Sequence, residues 1–537
     1  MSPLVILITI AAYFAVLFFV SWIAGRNADN AGFFSGNRQS NWIIVAMSTI
    51  GAAISGVTFV SVPGMVQGAG FSYMQMVLGF TVGQILVAYV LIPMYYKMNL
   101  TSIYQYLENR FGVTTYKTGA WIFFLSKMLG ASVRLFVVGS VLQLLVFDPL
   151  HTPFWVNAIF TVAIVYLITF KGGVKSVIWT DLLKTTCLIL SVVLCIVFVM
   201  KSGVSFSGFG ESEMSRTFFF DDPNDGKFFW KQFLAGIFLV IATTGLDQDL
   251  MQRTLSCRNY RDAQKNMITG AVMQIFVIFL FLVLGWLLYT YAAQTGVPLV
   301  STTGEPLKGD DVFPFLATGN FFPVIVGILF IVGFIASAYS AAGSALTALT
   351  TSFTIDILGK NEIEKEDNIN QIKEKNNSQQ LADRESEANK KLSSKKLLST
   401  LNSQQLADRE SKANKELSTQ KTRKIVHALM AVLMAVCIYV IWILNDDSVI
   451  QTVYKVASYT YGPLLGMFCF GMFTRLQVRD RLLPLAAVLA PVITWILDAN
   501  SAAWFAGYQF SHERLILNAL LTFLFMLILS KPKANKA

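Results

Sequence analysis

Charge is scarce in this chain. Only 14% of its 537 residues are Asp, Glu, Lys or Arg, against about 25% in soluble domains. Cysteine is scarce too. The five present, Cys187, Cys195, Cys257, Cys437 and Cys469, form no C-x-x-C pair and lie mostly in apolar runs. They read as small hydrophobes, which argues against a disulfide scaffold or a cysteine metal site. Histidine is limited to His151, His427 and His512, scattered near the ends of apolar runs. Zinc or histidine-based catalysis therefore has no constellation to work from. Paired catalytic acids and an activated nucleophile are also missing, so an enzyme is not expected, and neither is a cofactor.

What the chain does have is apolar length. Hydrophobic residues make up 54% and the mean hydropathy is +0.56. Such a chain exposes too much apolar surface to be soluble, and the expectation is an all-α integral membrane protein. The formal charge of +10 falls in loops between apolar runs, which reads as membrane topology and not as nucleic-acid binding. A spanning helix needs roughly 20 mainly apolar residues. Thirteen stretches qualify, at about 3–25, 41–63, 71–96, 118–147, 153–170, 175–200, 230–250, 266–292, 321–357, 425–444, 449–473, 482–499 and 513–530. The first lacks a basic leader and a small-residue cleavage site, so it reads as a retained helix.

Alternate loops carry the cations: Arg26 and Arg38; Lys97, Arg110 and Lys117; Lys171 and Lys175; Arg253, Arg258, Arg261 and Lys265; Arg475, Arg479 and Arg481; Lys531, Lys533 and Lys536. The positive-inside rule then places the N-terminus outside and the C-terminus in the cytoplasm of a cell-membrane protein. Residues 359–423 differ from the rest, being charged and poor in aromatics. They hold a duplication, NSQQLADRESEANKKL from Asn377 and NSQQLADRESKANKEL from Asn402. This reads as a cytoplasmic insertion between transmembrane parts 1–358 and 424–537.

Several polar groups stand out against the apolar background. The stretch 41–63 carries Gly51, Gly56 and a run of small and hydroxyl residues before Pro63. Close helix packing explains small residues in a membrane helix. A discontinuous helix, whose free carbonyls replace the water shell of Na⁺, explains them too. A comparable weak point is A-T-T-G at 242–245. Ser337, Ser340 and Ser344 share one face of stretch 321–357; interhelical hydrogen bonds or a hard monovalent cation would each suit them. Asp181 ends K-G-G-V-K-S-V-I-W-T-D and lies early in a spanning helix. Either it functions there, or it is solvated or paired with Lys127 or Lys184. Lys127 and Arg134, seven apart in an apolar run, share a face. No acid lies near Arg134 on its own helix, so a carboxylate-bearing ligand is a natural bidentate partner. Snorkelling, or bonds to helix-end carbonyls, is the structural alternative.

G-A-A-I-S-G-V-T-F (51–59), G-G-V-K-S-V-I-W-T-D (172–181), D-Q-D-L-M-Q-R-T-L (247–255) and S-A-L-T-A-L-T-T-S-F-T-I-D (344–356) together resemble the sodium:solute symporter family over nearly the whole chain except 359–423. The resemblance implies a leucine-transporter-like inverted repeat of five plus five helices, mapping to about 41–200 and 230–473, with broken first and sixth core helices. It implies a sodium site formed by the Gly51, Ile54 and Ser337 carbonyls and the Ser340 hydroxyl, with Ala341 where the family commonly has serine. Some members of that family bind a second sodium through an acid at the position of Asp181; with Ser340 and Ser344 also present, the resemblance leaves one or two sodium ions open. Likeness to the sialic acid members implies a substrate pocket of Ser55, Thr58, Phe71, Gln75 and Arg134, with a hydroxyl of that pocket replaced by Ala53. Positions resembling sugar ligands of galactose-type members hold Val57, Val240 and Gln274. The expected function is sodium-coupled import of a sialic acid or another carboxylated sugar by a monomeric unit in the lipid bilayer. A neutral sugar or inositol symporter is the alternative, and a transporter-like sensor or channel the second.

Overall fold

The computed structural model describes residues 3–25, 40–100, 102–170, 173–300, 305–359, 420–444, 449–505 and 507–531. Nearly all of the insertion at 359–423, both duplicated copies included, lies outside them. Each of the thirteen apolar stretches is helical. Eight of the described helices are long and apolar enough to cross a membrane, or up to ten if each of two bent pairs counts as one span. Strand structure among the described residues amounts to a two-residue ribbon, Gln477–Val478 against Ser530–Lys531.

Side-chain distribution is that of a membrane protein. Large apolar residues such as Ile8, Phe19, Trp22 and Phe276 are exposed, while Asp181, Lys184 and Arg253 are almost fully buried. Lipid accepts the first group; only paired charges tolerate the second environment. Backbones approach closely where the sequence supplies glycine. A Cβ on Gly79 would lie 2.2 Å from the Phe233 carbonyl oxygen, and one on Gly236 would lie 2.4 Å from that of Met76. Helices Tyr73–Leu86 and Phe229–Val240 therefore cross backbone to backbone, which only a small residue permits.

Two helices are interrupted. The first begins at Trp42, where Asn41 Oδ1 accepts from the Ile43 amide at 2.9 Å as an N-cap. It ends at Ala53, because Ile54 (φ −94°, ψ 93°) and Ser55 (φ −88°, ψ 172°) are extended. Helix resumes over Gly56–Gly64, bent by 58°. The second runs Phe229–Val240, widens into a π-turn at Ile241–Gly245, and restarts at Gln248–Thr254 with a 69° bend. Asp247 caps the restart, accepting from the Asp249 amide at 2.8 Å. Unwinding frees carbonyls, and here two are met by tyrosines. Tyr95 Oη donates to the Gly245 oxygen at 2.9 Å and Tyr104 Oη to that of Leu246 at 3.0 Å.

Candidate functional site

The first break faces helix Val324–Ser352. A Cβ on Gly56 would stand 3.0 Å from Ala338 Cβ, so the restart of one helix touches the serine-bearing turn of the other. Gly51 lies in the last turn of Trp42–Ala53 and Ile54 in the extended link, which leaves the carbonyls of that turn outside the helical ladder. Ser337 is buried beside the break, its hydroxyl donating to the Phe334 oxygen at 2.8 Å. Ser340 is helical; its side chain lies outside the described residues.

Next to the break lies a buried chain of charges. Lys127 Nζ is 2.7 Å from Asp249 Oδ2 and 3.2 Å from Asp247 Oδ2. Asp249 Oδ1 is 3.5 Å from Arg253 Nε. Arg253 Nη1 reaches Asp181 Oδ2, and also the Ser48 carbonyl at 2.8 Å and hydroxyl at 2.7 Å. Asp181 Oδ1 in turn takes Lys184 Nζ at 3.1 Å. Ser344 donates to Asp249 at 3.0 Å, and Tyr461 to Asp247. The chain ties both broken helices to helices Val113–Leu142, Gly173–Lys201, Val324–Ser352 and Val449–Phe473. Taking one member out of such an array strands a charge in a low-dielectric interior.

Lys127 therefore does not pair with Asp181, as its sequence position allows; its acids come from the second broken helix. Asp181 does meet Lys184, and Arg253 besides. Ser344 is engaged with Asp249. Two of the three residues expected at a second sodium, Asp181 and Ser344, are thus engaged with this protein's own charged groups.

A cavity of about 120 Å³ lies between the breaks. Ser55, Thr58 and Arg134 line it, as the sequence implies. Phe71 and Gln75 do not. Phe71 precedes the helix and packs edge-to-face on Phe209 and Phe279. Gln75 fastens the loop after helix Gly173–Lys201, accepting from the Phe219 amide at 3.1 Å and donating to the Lys227 oxygen at 2.8 Å. Phe80 and Gln84 hold the cavity wall in their place. They repeat the same aromatic-to-glutamine spacing nine residues later, about half a turn round the helix. Gln84 Nε2 donates to Gln274 Oε1 at 2.8 Å.

Arg134 is half-buried on this wall. Among the described residues no salt bridge or hydrogen bond reaches its guanidinium, whereas the buried Lys127, Lys184 and Arg253 each hold a carboxylate. Tyr73 and Tyr454 share a 2.5 Å hydroxyl contact and line both this cavity and a second one of about 220 Å³ floored by Ser72, Lys227 and His512. Sequence reasoning missed Asp247, Asp249, Arg253 and the tyrosine pair as site residues. Acids inside an apolar stretch were the available signal for the first two.

The sequence pattern of the sodium:solute symporter family matches residues 33–378. The chain is 26% identical over 376 residues to the sodium/sialic acid symporter NanT of Aliivibrio fischeri, covering 66% of this chain and 70% of that protein. It is 24% identical over 353 residues to the human sodium/iodide cotransporter and 25% identical over 352 residues to the human sodium-coupled monocarboxylate transporter 1. These matches span about half the length of the two human proteins, 53% and 54%. The fold is that of a solved Na⁺-coupled sialic acid symporter in a substrate-bound outward-open state, with a TM-score of 0.74 at 17% identity over 98% of both chains.

Proposed function

The chain belongs to the sodium:solute symporter family, and from that premise we propose that it imports a small carboxylate-bearing solute together with sodium by alternating access. The observation that carries the substrate class is Arg134, a membrane-embedded guanidinium on a cavity wall with no acid of its own among the described residues. A guanidinium in that setting costs several kcal/mol unless it is paired or wet. A solute carboxylate supplies the pair in bidentate form.

Sodium enters from outside and takes the carbonyls of Gly51, Ile54 and Ser337 with the Ser340 hydroxyl. In doing so it ties the first break to helix Val324–Ser352, which Gly56 and Ala338 already bring into contact. Ser55 and Thr58 follow that break directly and face the cavity, so ordering the break for the ion also orders the substrate wall. Coupling then consists of unequal affinity of ion and solute for the outward and inward states. Tyr73 and Tyr454 form the thin barrier between the cavity and the outer pocket. The helices fall into two inverted repeats, about 41–200 and 230–473, with the N-terminus outside and the C-terminus in the cytoplasm.

The lining favours a polyhydroxylated acid, a sialic acid or a similar carboxylated sugar. Ser55, Thr58, Gln84, Thr243, Thr244 and Gln274, each with a hydroxyl or an amide, are among the residues that line it. Cavity size favours a second reading. About 120 Å³ is below the roughly 300–1,000 Å³ usual for larger ligands, and a short monocarboxylate needs no expansion. Proteoliposome uptake of labelled sialic acid and labelled short monocarboxylates, with and without an inward sodium gradient, tests both. Sodium-driven accumulation of one above its external concentration supports the corresponding reading. Equilibration without accumulation supports a channel, and no uptake of any carboxylate refutes the substrate class.

A further inference from the structure

Asp181 lies in helix Gly173–Lys201 with no measurable exposure. Its Oδ1 takes Lys184 Nζ at 3.1 Å. Its Oδ2 takes Arg253 Nη1 and the Ser48 hydroxyl, the latter at 3.2 Å. Lys184 sits one helical turn further along the same helix and is itself 1% exposed. Its ammonium donates a second bond, at 3.2 Å, to the carbonyl oxygen of Tyr339. Tyr339 lies between Ser337 and the turn that carries Ser344. One carboxylate oxygen and one carbonyl oxygen from helix Val324–Ser352 thus converge on a single positive charge. An alkali ion held by Asp181 would compete with that ammonium for the carboxylate oxygen.

Charge balance points the same way. The buried array holds three anions, Asp181, Asp247 and Asp249, and three cations, Lys127, Lys184 and Arg253. It closes to neutrality without an ion. A further monovalent cation would leave the array with one excess positive charge in a low-dielectric interior, where unpaired charge is least tolerated. It would also have to lie beside two fixed cations.

We infer that the Lys184 ammonium is a built-in counter-ion that takes the place of a second sodium at Asp181, so that one sodium ion binds per transport cycle. The inference rests on the proposed sodium-coupled reading and deepens it. The tether makes the charge permanent: it supplies the bond between helices Gly173–Lys201 and Val324–Ser352 in every state that keeps this contact, and it carries no charge across the membrane. The ion at the first break is then the sole ionic link between gradient and solute. Lys184→Gln removes the ammonium while keeping a donor on a side chain one atom shorter. It leaves Asp181 with Arg253 and the Ser48 hydroxyl on its other oxygen and opens the vacated position to sodium.

Equilibrium binding of ²²Na⁺ to the purified full-length protein, without solute, separates the outcomes. The expected result is one sodium per wild-type chain, one for Lys184→Arg and two for Lys184→Gln. The double variant Asp181→Asn/Lys184→Gln should return to one. Two sodium ions on the wild type would overturn the inference, as would a Lys184→Gln protein that folds and still binds one. Should Lys184→Gln fail to fold, the wild-type count decides by itself, since two ions contradict a built-in counter-ion and one agrees with it. No sodium binding to the wild type would sink the sodium-coupled reading itself, and the inference with it.

Discussion

Lys127 and Asp249, 122 positions apart in sequence, meet at 2.7 Å inside the bilayer-spanning bundle. The contact joins helix Val113–Leu142 to the half-helix Gln248–Thr254 that restarts after the second break. Asp247 shares the ammonium and caps the same half-helix. A single lysine therefore holds the restart in place and compensates its acids, while Arg134, two turns further along the same helix, remains open to the cavity.

Removing that lysine should be costly. Lys127→Met leaves two carboxylates with one fewer partner, and breaking a buried pair costs about 3–5 kcal/mol. The expected outcome is a marked loss of thermal stability in detergent, with partial recovery in the Lys127→Met/Asp249→Asn double variant. Equal melting temperatures for wild type and Lys127→Met would show that the pair is not structural.

The helix register revealed by the cavity has a direct test. Gln84→Ala should raise the KM for uptake roughly tenfold, the scale of one buried hydrogen bond. Gln75→Ala should leave KM unchanged and lower stability by about 1–3 kcal/mol, because the Phe219 amide loses its acceptor. A KM effect confined to Gln75 would put the solute where Phe71 and Gln75 are.

Close approach at Gly56 gives the proposed sodium site a test. Gly56→Val should force helix Val324–Ser352 away from the break, since even a Cβ would stand only 3.0 Å from Ala338. Overpacking of this kind costs about 1–3 kcal/mol. Sodium concentration at half-maximal uptake should therefore rise by roughly 5- to 100-fold. An unchanged sodium dependence would place the ion elsewhere.

The barrier formed by Tyr73 and Tyr454 rests on one hydroxyl contact. Tyr454→Phe should favour the outward-open state by about 0.5–1.5 kcal/mol. Thiol labelling from outside at Ser55→Cys, in a background without the native cysteines, should then quicken by roughly 2- to 10-fold. Unaltered labelling would remove this pair from the gate.

Much of the bundle was legible because lipid demands long apolar runs, and each of the thirteen stretches is helical. The first break was legible as well. Gly51 and Gly56 mark it, and the chain turns extended between them at Ile54 and Ser55. Arg134 stood out because a cation is conspicuous among apolar neighbours. Helix phase did not stand out in the same way. Phe71–Gln75 and Phe80–Gln84 have identical spacing in one apolar stretch, and only packing decides which faces inward. The partners of Asp181 and Lys127 were hidden for a related reason. Each pair joins helices far apart in sequence, and in a core with three acids and three bases local spacing does not select among the pairings.

Whether Arg134 receives a carboxylate is read from the binding of a matched acid and its primary amide. Isothermal titration of the wild-type protein in saturating sodium should show the acid binding tighter by roughly 10- to 100-fold, the worth of a charge-assisted bidentate contact. That advantage should vanish in Arg134→Gln. Equal affinity of the wild type for acid and amide would mean that Arg134 does not hold the carboxylate.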